Sequence, residues 1–173
     1  MAHKRKEIRE KIKALLTGAT AAGTRVFEMR VRDLSEDDLP AIAIYSEEES
    51  AEIYVHSPLE YKRTLRLRID AIHSLSDDVE DQLDLLSNQI ESVLDMQDTL
   101  GDLVSSFVYA GTDLRTREGG QEDVGSARLF YVAEYLTGAG ATVEDDLEEV
   151  NVKYDFGPPD EQIEAHDSIT LPT

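Results

Sequence analysis

A chain of 173 residues with 37 acidic against 17 basic side chains, and a formal net charge of −20 at pH 7, offers a surface that repels nucleic acid, since like charges leave no counterions to release on contact. Cysteine is absent, which excludes disulfides, thiolate metal sites and a cysteine nucleophile within this chain. The 40% hydrophobic content supports one good core, and no apolar run approaches the roughly 20 residues that span a bilayer, so the expectation is an ordinary intracellular globular protein with one main domain.

The charge is graded along the chain: +4 over residues 1–17, −4 over 18–75 and −20 over the rest. Such a surface suits a passage that DNA must traverse without sticking. It is equally how a small domain stays soluble, or how a protein from a saline habitat looks.

Residues 4–16 place Ile8, Ile12, Leu15 and Leu16 at helical spacing, with Lys4, Lys6, Arg9, Lys11 and Lys13 on the remaining surface, which predicts a basic amphipathic helix docked on the core. Over 24–32, Phe27, Met29 and Val31 alternate with Glu28, Arg30 and Arg32, the period of a half-buried strand with the first set inward. Pro40 opens a second strand, Ala41 to Tyr45. The run Ser46-Glu47-Glu48-Glu49-Ser50 reads as an acidic turn into a third short strand, Glu52 to His56, which ends before Pro58. Residues 61–72 give the clearest strand, with Leu65, Leu67, Ile69 and Ala71 alternating against Arg66, Arg68 and Asp70.

Ser76 is placed to cap a long helix, and Asp77 and Asp78 suit its positive end. The apolar stripe Val79, Leu83, Leu86, Ile90 and Val93 faces the core, while Asp77, Asp81, Asp84, Glu91, Asp95 and Asp98 share the far side, and the helix is expected to run until just before Gly101. Asp95 and Asp98 then lie near the negative end of its dipole, so local helix stability does not explain them. Residues 103–110 and 127–136 read as further strands, with Gly111 to Gly125 between them as a long polar hairpin arm holding Arg115 and Arg117. Residues 139–173 read as an acidic extension, partly strand through Val150, Val152 and Tyr154 and partly disordered, beside a main domain of residues 1–138.

No catalytic constellation emerges. His3, His56, His73 and His166 fall in different segments without metal-ligand spacing, the 18–23 glycine loop lacks the lysine of a phosphate-binding loop, and no twelve-residue calcium loop is present. The expectation is therefore a non-enzymatic protein with no metal and no cofactor. Outward arginines at 30, 32, 66 and 68 make either a cross-strand salt ladder or a cationic sheet face that receives the acidic helix or tail of another copy.

The order of a basic first helix, Gly23-Thr24-Arg25-Val26-Phe27, Leu39-Pro40-Ala41-Ile42-Ala43-Ile44-Tyr45, Leu65-Arg66-Leu67-Arg68-Ile69 and a long helix resembles the tail terminator (tail completion, minor tail) proteins of long-tailed bacteriophages. The resemblance covers residues 4–136 and implies an α+β domain: a mostly antiparallel sheet with two helices packed on one face, here with the hairpin arm and the C-terminal extension. It further implies a hexameric ring in the virion that caps the tail tube at its head-proximal end, halts its polymerisation, presents a surface to the head-tail connector protein and lets DNA pass. On that footing Glu47, Glu48, Glu49 and Glu52 are candidate channel residues, and Arg30, Arg32, Arg66, Arg68, Arg115 and Arg117 candidate subunit contacts. The alternatives are a neck or head-tail connector protein, an acidic module that imitates DNA, and a hydrolase using scattered carboxylates with a metal.

Overall fold

The computed structural model describes residues 3–28, 38–74, 78–117, 124–138, 149–154 and 165–170, and the chain divides into two compact units, Met1–Ala139 and Gly140–Thr173. The first holds helix α1 (Lys4–Leu16), strands β1 (Val26–Glu28), β2 (Ala41–His56) and β3 (Leu59–Ser74), helix α2 (Val79–Leu94), and strands β4 (Ser106–Arg117) and β5 (Val124–Gly138). Its five strands form one sheet in the order β1-β2-β3-β5-β4, antiparallel except for the β1–β2 pair. The second unit carries β6 (Glu149–Tyr154) and β7 (Ala165–Thr170), an antiparallel pair with Val150 opposite Ile169. The architecture is α+β, with both helices on one face of the mostly antiparallel sheet.

Strand period and helix period meet in a single core. Leu65, Leu67, Ile69 and Ala71 of β3 and Ala127, Leu129, Tyr131, Ala133 and Tyr135 of β5 all face the helices, because alternate residues share a face. Ile8, Ile12 and Leu16 of α1, and Val79, Leu83, Leu86, Ile90 and Leu94 of α2, close over them. The helix layer comes close to the sheet at Gly125, where a Cβ would sit 2.7 Å from Val79 Cγ2 and 3.1 Å from Leu83 Cδ1. Gln89 Oε1 accepts from the Ala21 amide at 2.7 Å, which joins α2 to the loop that follows α1.

The largest departure from expectation concerns the acidic run. Residues 46–50 form no turn; they lie inside β2, a continuous strand of 16 residues paired with β3 along its length, and the chain reverses only at Ser57 and Pro58. The reason is non-local: each glutamate of the run meets an arginine of β3, so the ladder continues where single-strand propensity would end it. Register shifts at Ser46/Glu48 and Ile53/Val55 absorb the irregularity.

Two smaller corrections follow, at β1 and at the end of α2. In β1, Val26 is buried and Phe27 only half-buried, opposite in phase to the alternation expected over 24–32, because the parallel pairing of Val26 with Ile42 brings Val26 into the core; Met29, Arg30, Val31 and Arg32 lie outside the described residues. Helix α2 stops at Leu94, with Leu94 rather than Val93 fully buried, and the chain then turns through Leu100, Gly101 and Asp102, all at positive φ, to bury Leu100 and Val104. The hairpin expected over 111–125 is present as an antiparallel ladder, paired from Gly111 with Phe130 to Arg117 with Val124, on a strand that β3 holds from its other side. Ser76, the expected cap, lies outside the described residues, and Asp78 holds the N-cap position, its carboxylate accepting from Gln82 Nε2 at 3.1 Å.

Candidate functional site

The acids expected to line a channel and the arginines expected to meet a neighbour are each other's partners. On the sheet face turned away from the helices, Arg68 Nη1 donates to Glu47 Oε1 at 3.0 Å, its Nε lies 3.0 Å from Asp70 Oδ1, and its guanidinium stacks 4.5 Å over the Tyr45 ring. Burial raises the Asp70 carboxyl above its ordinary value, and the charges of Arg68 and Arg128 only partly offset this. Arg66 Nη1 approaches Glu48 Oε2 at 3.9 Å, and here both side chains are largely in water, 56% and 70% exposed. Contacts of that kind contribute little. Glu52 is exposed opposite Lys62, which pairs across the sheet with Glu134 at 2.9 Å.

Glu49 points the other way, toward the helices, and its side chain is only 8% exposed. Three elements converge on it: Arg63 of β3 donates to Oε1, the Tyr135 hydroxyl of β5 donates to Oε2 at 2.9 Å, and Arg5 of α1 lies 3.3 Å from Oε2. Burial pushes the carboxyl up, but the hydrogen bonds from Arg63 and Tyr135 and the charges of Arg5 and Arg63 outweigh it and hold Glu49 below the usual carboxylate value. The same contact and burial push the Tyr135 phenol up to about 12. This cluster pins the first turn of α1 to the sheet.

Arg30 and Arg32 lie outside the described residues. Arg115 and Arg117 stand in β4 opposite Ser126 and Val124, and their side chains are not among those described.

A second arrangement on the helix face escaped the sequence reading. Tyr131 lies four residues before Tyr135 on the same side of β5 and is 1% exposed; its ring stacks on Phe107 at 4.9 Å and meets Tyr109 edge-on at 5.5 Å. Its hydroxyl is buried without a hydrogen-bond partner among the described residues. Burial first, then the charges of Asp95 and Glu91, push its titration far up.

Among the described residues no three histidine, aspartate or glutamate side chains gather as metal ligands, and no helix is long and apolar enough to cross a membrane. His3 serves as the cap of α1, its Nδ1 accepting from the Arg5 amide at 3.3 Å. What the molecule offers chemically is paired and unpaired charge on a rigid sheet, suited to contact with other macromolecules.

Compared with known families, residues 3–135 match the family described as phage minor tail protein U. The match spans most of the Met1–Ala139 unit and ends before the second. No curated protein matches the chain.

Proposed function

The chain belongs to the phage minor tail protein U family, a structural component of phage tails, and on that premise we propose that it is a tail terminator. In this reading copies of the chain close into a hexameric ring on the head-proximal end of the tail tube, end its polymerisation and offer the head-tail connector protein its seat. The protein works without catalysis and without a cofactor, as an assembled shape. The observation that carries the reading is the family match over residues 3–135, which spans nearly all of the five-stranded sheet and both helices.

The charge supports the passage of DNA through the ring. A net −20 discourages adhesion, and the exposed carboxylates of Glu48 and Glu52 on β2 are the side chains proposed to line the channel. Glu49, buried and held by Arg63, shapes that strand rather than projecting from it, whereas Glu47 is exposed but bonded to Arg68. Among the six proposed subunit contacts, Arg66 is the one whose side chain is shown in the open.

The test is a phage lacking this protein, with tail length measured by electron microscopy. Tubes of uncontrolled, extended length restored to normal by the supplied protein are the expected result. Tails of normal length that fail to join heads would instead assign it to the connector, and co-purification with portal protein but not tube protein would agree.

A further inference from the structure

We infer that the two open edges of the five-stranded sheet pair between copies: β4 of one copy adds antiparallel to the free length of β2 in the next, so that the sheet runs on from copy to copy. This inference rests on the ring reading above and names the contact that would build the ring.

The sheet order puts β1 and β4 at its borders, but β1 has three residues and lies beside β2 only from Ile42 to Ile44. Beyond Ile44 the outer side of β2, residues 45–56, has no strand against it among the described residues, although β3 holds its other side as far as His56. β4, Ser106–Arg117, is 12 residues long and pairs only with β5 among the described residues. An open edge presents a row of amide donors and carbonyl acceptors, and natural sheets blunt long edges with proline, lysine or a short strand. Neither edge here contains a proline or a lysine, and their free lengths match. Ile53 and Tyr54 on β2, and Val108 and Leu114 on β4, are each more than half exposed.

Strand direction selects which edge meets which. β2 and β5 run one way and β3 and β4 the other, so β2 and β4 are antiparallel within one copy. Rotation about an axis along the strands preserves direction, and it brings β4 of one copy beside β2 of the next in the antiparallel sense, helix face continuing helix face. Contact between two different edges is heterologous, the kind that closes into rings. Charge selects the same pair. Residues 45–56 carry Glu47, Glu48, Glu49 and Glu52 and no lysine or arginine, so two such edges repel, whereas β4 carries Arg115 and Arg117 against one acid, Asp113.

Register joins the two arguments. Within one copy Glu48, Arg66, Val132 and Val108 stand in one cross-strand row, and Ser50, Thr64, Glu134 and Ser106 in the next row on that face. For the two edges to overlap fully, β4 must slide along the neighbour's β2 by about six residues toward the turn at Ser57 and Pro58, and a sheet that closes around an axis requires a stagger of this kind. The same slide moves Arg115, which shares a row with Ala41, to the neighbourhood of Glu47 and Glu48. Length and charge thus call for one displacement. Bulges at Ser46/Glu48 and Ile53/Val55 of β2 and at Tyr109/Gly111 of β4 supply the added twist and bend of a closing sheet.

The chain has no cysteine, so engineered disulfides report the contact without background. Val108→Cys is combined in turn with Glu48→Cys, Ser50→Cys, Glu52→Cys or Tyr54→Cys in the full chain, which is oxidised and run on a denaturing gel, with the mass of the wild type followed by light scattering across concentration. One of the four pairings, or two adjacent ones, is expected to link copies into a ladder that ends at the ring, and its position gives the slide. Each cysteine alone leaves the copies unlinked. Arg115→Asp with Arg117→Asp is expected to weaken assembly about tenfold or more while the melting temperature at dilution is kept. A wild-type chain that stays monomeric at every concentration overturns the ring reading and this contact with it. A wild-type oligomer in which none of the four pairings links, or in which Val108→Cys alone links to itself, overturns the edge pairing and leaves the ring. Linking that the arginine exchange leaves unmoved keeps the pairing and removes the arginines from it.

Discussion

Tyr135 and Tyr131 stand four residues apart on the same face of the same strand, both buried beneath helices, and their hydroxyls have opposite circumstances. Tyr135 donates to Glu49, whose other bonds come from Arg63 and Arg5, so every polar group there has a partner within the chain. Tyr131 meets the rings of Phe107 and Tyr109, and its hydroxyl has no hydrogen-bond partner among the described residues. The difference separates two kinds of buried polarity. A satisfied cluster fixes how α1 seats on the sheet, whereas a buried hydroxyl without a partner subtracts from stability.

Removing the centre of the satisfied cluster should have the largest effect. Glu49→Ala leaves Arg63 and the Tyr135 hydroxyl without their acceptor and should lower unfolding free energy by about 2–3 kcal/mol in urea titrations, the part-exposure of both arginines keeping the loss below that of a fully buried pair. The two tyrosines then give the direct comparison. Tyr135→Phe should cost about 1 kcal/mol, while Tyr131→Phe, measured at dilution, should cost nothing or gain up to about 1 kcal/mol. Equal losses at both positions would erase the distinction. The smallest effect is in pH dependence. Glu49 is held below its ordinary 4.5, so its contribution is complete above that value and is lost as pH falls through the folded value; Glu49→Gln should flatten the acid limb of a stability profile taken between about pH 3 and 6. Asp70 has the opposite sign: its folded value is raised, protonation favours the folded state, and Asp70→Asn should steepen the same limb.

The satisfied region was also the less legible one in sequence. Alternation identified β3 and its buried face, Leu65 through Ala71, because period two is a local property of the chain. Glu47, Glu48 and Glu49 read as a turn for the same reason: nothing within ten residues of them indicates that Arg68, Arg66 and Arg63 will lie alongside. A salt ladder does form on β3, but its acids are Glu47 and Glu48 of β2, a strand that local reading had divided in two, and not the 24–32 strand, which β2 separates from β3. At α2 the case is reversed. Asp95 and Asp98 were conspicuous from helix electrostatics alone, whereas the orphaned hydroxyl of Tyr131 was not, because that residue sits in an ordinary apolar run, Leu129-Phe130-Tyr131-Val132, and only the packing buries it. The family resemblance over residues 4–136 agreed closely with the match over 3–135, since it rested on the order of elements rather than on any single residue.

The strand order has a consequence in time. β3 is the middle strand; one flank is supplied by β2, immediately before it, and the other by β5, which begins fifty residues after β3 ends and is finished only at Gly138. At roughly 5–20 residues per second a ribosome leaves that flank open for several seconds, with Leu65, Leu67 and Ile69 on a bare edge. The arginines that alternate with them act as gatekeepers in the nascent chain, making the half-built sheet a poor template for a stranger's strand.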